Sequence, residues 1–381
     1  MSNSNKVSGV VSGPRYTPLV ESLPSTVPFV GPETQERNTG ILFDARLGAN
    51  ESVFGPSPKV VEAVNQYAGD IWKYGDPENY DLKAALAKHH GIQAENIVVG
   101  EGIDGLFGYL ARLLISNGVP VVTSLGAYPT FNFHVNGFGG VIHTVPFNDD
   151  REDIEALLAK TLELDAPLTY LANPDNPMGS WNSKQAVQSL IDRMPESSLL
   201  CLDEAYIELS RKDIAPVIDV TNPRVIRFRT FSKAYGMAGA RIGYAIAEAG
   251  LATAFNKIRN HFGVTKLSQV AALAALGDQG YLESVRRQVW QACERIAEIA
   301  ADNDLVALPT ATNFVAIDCG RDGDFARSVV TELGALGVFV RMPFVVPQNR
   351  CIRVSAGGKA ELDVLAERLP KALMRARGKS T

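Results

Sequence analysis

From Ile97 onward the chain alternates short apolar runs with helical patterns, and no other feature constrains the fold as much. Ile97-Val98-Val99 leads into a glycine turn and then an apolar-periodic stretch over 106–115. Strand candidates follow at 119–123, 131–135, 141–145, 168–172, 199–202, 225–228 and 242–247, with helices expected near 153–162 and 183–193. Runs this short and this apolar belong to a sheet whose two faces are both covered by helices. Past Lys266 the texture changes. Leu282, Val285, Val289, Ala292, Ile296 and Ile299 recur three or four apart, the stripe of a long amphipathic helix. Strands at 314–317, 338–341 and 351–354 and helices near 325–333 and 362–374 complete an α+β pattern. The expected organisation is an arm over 1–40, a large α/β unit over 71–265, and a smaller α+β unit from 41–70 with 266–381. The arm carries Pro14, Pro18, Pro24, Pro28 and Pro32, a spacing too close for a helix.

A chain of 381 residues accommodates two such units. Its net charge of −5 makes nucleic acid a poor partner. Four scattered cysteines form no CxxC pair, His89 and His90 diverge on a helix, and no HExxH occurs, so no metal site is expected. No apolar run approaches the ~20 residues of a membrane span. The polar N-terminus does not read as a signal peptide, so the expected location is the cytoplasm.

Gly100-Glu101-Gly102-Ile103-Asp104-Gly105 matches GxGxxG between a strand and a helix. A dinucleotide site would also need an acid about 20 residues on for the ribose. None occurs between Gly105 and Asp149, which disfavours a nicotinamide-dependent oxidoreductase. Glycines that admit a close ligand, ahead of a helix N-terminus with free N–H groups, suit a single phosphate equally well. Three more segments stand at strand ends, where α/β sheets bind ligands. Asn173-Pro174-Asp175-Asn176-Pro177 is a rigid turn presenting amides. Asp203 leaves a buried strand and needs a cation or a donor. Thr230-Phe231-Ser232-Lys233 sets a lysine among hydroxyls and aromatics, with Arg241 eight residues on. A lysine becomes a nucleophile when desolvation or a neighbouring cation lowers its pKa. Lysine, acid, phosphate cradle, ring-facing aromatic and amide donors together describe one cofactor, pyridoxal phosphate.

On these motifs the chain resembles the fold-type I aminotransferases, and within them the histidinol-phosphate aminotransferase branch. The resemblance runs from Leu47 to the C-terminus and is most specific from Thr230 to Gly243. It implies a large domain with a mostly parallel seven-stranded sheet. It also implies that Lys233 carries pyridoxal 5'-phosphate as a Schiff base and shuttles a proton, and that Asp203 pairs with the pyridine nitrogen. Asn176 and Tyr206 would donate to the phenolic oxygen, and Tyr128 would stack on the ring. Gly102, Ile103, Asp104, Ser232 and Arg241 would hold the phosphate, and Thr230 would be a further cofactor contact. Tyr74 would reach the phosphate of a partner subunit, implying a homodimer with shared sites. Arg353 would bind the substrate anion, with Arg341, Asn50 and Phe29 beside it. An amino donor and a 2-oxo acid acceptor, 2-oxoglutarate, would be the substrates. Departures from the family pattern are Gly105 in place of an acid, Ser52-Val53 after Asn50-Glu51, and Phe29 in place of a tyrosine. The alternatives of the same resemblance are decarboxylation of a phosphorylated amino acid, as in the threonine-phosphate decarboxylases, and transamination of aromatic amino acids.

Overall fold

A computed structural model describes residues 13–25, 30–211 and 213–378. Its twelve strands are β1 (Ala45–Arg46), β2 (Ile97–Gly100), β3 (Pro120–Ser124), β4 (Val141–Val145), β5 (Leu168–Ala172), β6 (Leu199–Asp203), β7 (Val225–Thr230), β8 (Gly243–Ile246), β9 (Val306–Ala307), β10 (Phe314–Asp318), β11 (Val338–Phe339) and β12 (Cys351–Ser355). Seven of them form one sheet in the order β2-β8-β7-β6-β5-β3-β4. All its neighbours pair parallel except β8, which runs antiparallel to both β7 and β2. Strands β5 and β6 are buried at every residue, as the unbroken apolar runs require.

The helix Gly102–Leu114 lays Leu106, Phe107, Leu110 and Ala111 against this sheet. The Phe107 ring meets Phe131, Tyr170 and Phe228, and Phe131 stacks on Tyr170 at 4.5 Å. Burying such aromatics stabilises by roughly 2–3 kcal/mol each. On the opposite face Leu157, Val187, Leu190 and Ile191 pack under Val122, Leu171 and Leu202.

The C-terminal residues form a three-stranded antiparallel sheet, β12-β10-β9, covered by the helices Gln279–Ala301, Gly323–Ala335 and Lys359–Gly378. The stripe from Leu282 to Ile299 is buried as its spacing demands. The segment before Glu51 threads between these strands. β1 pairs parallel with β11, Leu47 N donates to Phe339 O, and Ser355 N donates to Leu47 O at 2.7 Å.

Four expectations are corrected. Residues 131–135 lie within a helix, Pro129–Gly137, not a strand. Phe131 and Val135 are buried four apart while Phe133 is 52% exposed, a helical spacing that a strand would not give. The proline-rich arm does hold helices, Pro18–Ser22 and Pro32–Thr39, each with proline in its first turn, where no N–H is needed. His89 and His90 do not diverge: their rings meet edge-on at 4.8 Å. The strand expected at 338–341 stops at Phe339, and Arg341 instead makes an isolated bridge with Arg353.

Candidate active site

Register explains why the motifs meet. Thr230 pairs with Gly243, and Gly243 pairs with Gly100, so three strand ends lie level. Lys233 and Arg241 occupy the turn joining β7 to β8, and the helix beginning at Gly102 follows β2. Beside them β6 ends in Asp203. A cavity of about 590 Å³ opens there, and β12 brings Arg353 to it from the C-terminal sheet.

Lys233 Nζ donates to Asn50 O at 3.2 Å and lies 5.6 Å from the centre of the Tyr206 ring. Burial lowers its pKa, with Arg353 and Arg241 adding a smaller push in the same direction. Asp203 accepts from Tyr170 Oη at 2.7 Å and from Ala205 N at 2.9 Å. Burial raises it to about 6, against the pull of those donors. Tyr206 Oη accepts from Asn50 Nδ2 at 3.2 Å and from Asn176 Nδ2 at 3.5 Å, and burial raises its hydroxyl to about 12. Tyr128 forms part of the cavity wall, its pKa raised by burial.

At the other end of the cavity stand Ile103, Asp104, Thr230, Ser232 and Arg241. Gly102 lies just behind the wall. Its φ of +78° favours glycine, and a Cβ there would lie 2.6 Å from Arg241 Nη2 and push that guanidinium aside. Arg241 donates to Ala238 O at 3.0 Å and approaches Glu101 O at 3.4 Å. Asp104 is tied to His134 at 2.9 Å.

Arg353 donates from Nη1 to Asn176 Oδ1 at 2.6 Å and from Nη2 to Gly48 O at 3.1 Å. Its Nε is buried with no partner among the described residues. Burial lowers this guanidinium to about 10. Arg341, also lining the cavity, donates to Val30 O at 2.9 Å and so fastens the arm at the mouth. Asn50 is 2% exposed and lines the same space. Thus the residues expected at this chain's own cavity converge, Phe29 apart. Tyr74, expected to serve a partner's site, is 79% exposed and not part of the cavity wall, its ring against Phe262 at 4.8 Å. Phe29 lies outside the described residues.

Sequence reasoning missed Tyr170, Glu152 and Asp175. Glu152 is buried, accepting from Ser124 Oγ at 2.6 Å and Ala172 N at 2.9 Å, and burial pushes its carboxyl up. Asp175 accepts from Met178 N and is raised to about 7, again by burial first. A tyrosine inside a short buried strand was the available signal for Tyr170, since a buried hydroxyl must find a partner.

The site therefore has acids beneath, a desolvated amine at the centre, and three guanidinium groups at its margins. It suits a small, flat, anionic ligand held at both ends. The close approach allowed by the glycine at 102, the Arg241 guanidinium beside it and the buried Asp203 carboxyl at the other end fit pyridoxal phosphate in size and in donor set. Among the described residues no cluster could hold a metal ion, and no helix is long and apolar enough to cross a membrane.

Residues 45–369 match the family model for aminotransferases of class I and II, and the chain belongs to that family. Its relatives narrow the class. A histidinol-phosphate aminotransferase of Carboxydothermus hydrogenoformans is 32% identical over 342 residues, covering 89% of this chain and 93% of the relative. The crystal structure of histidinol-phosphate aminotransferase from Sinorhizobium meliloti, in complex with pyridoxal-5'-phosphate, is 55% identical with a TM-score of 0.93, covering 96% of this chain and 99% of that one. An L-threonine-O-3-phosphate decarboxylase from Porphyromonas gingivalis shares the fold at 17% identity, with a TM-score of 0.75, covering 87% of this chain and 99% of that one.

Proposed function

We propose that the chain binds pyridoxal 5'-phosphate on Lys233 and transfers the amino group of histidinol phosphate to 2-oxoglutarate. The observation that carries this reading is the convergence of a desolvated lysine, a buried aspartate and a partly unpaired arginine on one cavity. The Sinorhizobium meliloti enzyme and its bound cofactor support it. When bound, the cofactor supplies an electron sink for the pair left by breaking the donor's Cα–H bond.

The chain's own residues do the rest. The Asp203 carboxylate keeps the ring nitrogen protonated. Tyr206 Oη and Asn176 Nδ2 donate to the phenolic oxygen, and Tyr128 covers one ring face. The N–H groups of Gly102, Ile103 and Asp104, with Thr230, Ser232 and Arg241, take the phosphate. Lys233 Nζ, once free, takes the Cα proton from the donor in one half-reaction and delivers a proton to the Cα of the acceptor in the other. Its lowered pKa leaves a larger fraction of the amine unprotonated for that step. Histidinol phosphate carries a phosphate where an amino acid has its carboxylate, so donor phosphate and acceptor carboxylate take turns at the Arg353 fork. Arg341 stands beside it, and Asn50 closes the wall.

We also infer a homodimer, located in the cytoplasm. Ile71, Trp72, Tyr74 and Phe262 are exposed apolar side chains on one stretch of surface, from which Tyr74 would serve a partner's phosphate. The division into 1–40, 71–265, and 41–70 with 266–381 is kept as a proposal. The pairing of β1 with β11 and the packing of helix Pro58–Tyr67 on Lys266–Leu276 support the last grouping.

The test has two parts. Borohydride should trap the cofactor on a peptide containing Lys233, and Lys233→Ala should abolish trapping; label on another lysine sinks the assignment. Half-reactions with histidinol phosphate, phenylalanine, tyrosine, glutamate and threonine phosphate should then be fastest with the first. Carbon dioxide release from threonine phosphate, without formation of the pyridoxamine form, would reassign the reaction to decarboxylation.

A further inference from the structure

Asn50 holds a backbone conformation that few residues adopt, at φ +56°, and it is 2% exposed. Non-glycine residues in this region are uncommon and cluster at functional sites. Its hydrogen bonds explain the placement. Asn50 N donates to Ser355 Oγ at 3.0 Å, and Ser355 Oγ donates back to Asn50 Oδ1 at 2.8 Å. Ser355 thereby fixes which way the amide faces, leaving Nδ2 toward Tyr206 Oη at 3.2 Å. The Asn50 carbonyl accepts from Lys233 Nζ and from Asn313 Nδ2, at 3.2 and 3.1 Å. One residue thus touches the amine, the tyrosine and the C-terminal sheet.

Ser355 lies two residues beyond Arg353 on β12, so both side chains project from one face of that strand. An amide nitrogen can only donate. With Asn50 Nδ2 and Asn176 Nδ2 both donating to Tyr206 Oη, the hydroxyl proton must turn away from them, into the cavity. Donation into an oxygen also strengthens the bond that the same hydroxyl gives onward.

We propose that Asn50 is a positioning residue: through Ser355 it carries the placement of the Arg353 strand to the Tyr206 hydroxyl, and so sets the protonation of the lysine–cofactor chromophore. This rests on the reading above, in which Tyr206 donates to the cofactor's phenolic oxygen. Without the Asn50 amide, that oxygen is less stabilised as an anion, and the neighbouring nitrogen keeps its proton to higher pH.

The experiment is a pH titration of the visible absorbance of the reconstituted holoenzyme, with Asn50→Gly. Glycine tolerates the backbone conformation and retains the carbonyl contacts, losing only the amide. The midpoint should rise by about half a pH unit or more. In a Tyr206→Phe background the same substitution should shift nothing, because Asn50 acts through that hydroxyl. An unmoved midpoint in a variant with full cofactor occupancy overturns the proposal, as does an equal shift in the Tyr206→Phe background. Should Asn50→Gly fail to fold, Ser355→Ala keeps the Asn50 side chain but removes the hydroxyl that fixes its amide and accepts from its backbone N–H, and should move the midpoint the same way; no movement overturns the proposal. A wild-type protein that develops no visible band removes the cofactor reading itself and the inference with it. A normal wild-type band with unmoved variants removes the role of Asn50 alone.

Discussion

Arg353 donates inside the protein to Asn176 and Gly48, and its buried Nε has no partner among the described residues. A lysine would keep the charge but could not span those partners. Arg353→Lys should lower kcat/KM by about 100-fold, near 3 kcal/mol, mostly as a higher KM in steady-state kinetics. Asp203 supplies a pH dependence. Its carboxyl, raised to about 6, takes up a proton as pH falls through that value. The protonated acid no longer attracts a protonated ring nitrogen, so cofactor affinity should weaken as pH falls from 7.5 to 5. Fluorescence titration of the apoprotein should show this step in wild type and its loss in Asp203→Asn, by up to tenfold per pH unit. Lys233, Asp203 and Arg241 were legible because each sits in a motif that core packing does not explain. Tyr170, Ser355 and Asn313 were not. Their partners lie 33, 305 and 263 residues away, and only register brings them together.

At the scale of elements, the turn between β7 and β8 is held by backbone contact. Gly236 has φ +68°, and a Cβ there would overlap the Gly55 carbonyl. Neither backbone can swing aside as a flexible side chain would. Gly236→Ala should therefore destabilise by about 2–4 kcal/mol, read as a lower midpoint in urea unfolding. The buried strands β5 to β7 were legible to within two residues because unbroken apolar runs leave few alternatives. The 131–135 segment was misread because a five-residue apolar run fits either period. Pro129, which suits a helix start, was the signal to weigh.

Across the whole molecule, the mild charge of −5 conceals a local gathering of cations at one cavity. The surface adds a second asymmetry. Trp72 and Tyr74 are 77% and 79% exposed, beside Ile71 and Phe262. Large aromatics at this exposure are the usual anchors of an interface. Trp72→Asp should weaken the proposed dimer by at least about 2 kcal/mol, seen as monomer in sedimentation velocity at micromolar protein where the unsubstituted protein sediments as a dimer. The long amphipathic helix after Lys266 could be read from the change of texture there. The threading of residues 44–50 between β11 and β12 could not, because it depends on contacts some three hundred residues apart.

The reversed strand β8 has a consequence for how such a site is inherited. A parallel strand would return the chain to the far end of the sheet, and a crossover helix would separate the Lys233 amine from the Arg241 guanidinium. Because β8 runs backward, Lys233 and Arg241 occupy one tight turn and leave it on the same side. Recombination breakpoints almost anywhere else in the chain leave these two groups linked. An insertion between Ser232 and Gly243 would detach one end of the ligand from the other, so this stretch should be the least forgiving of length changes over evolution.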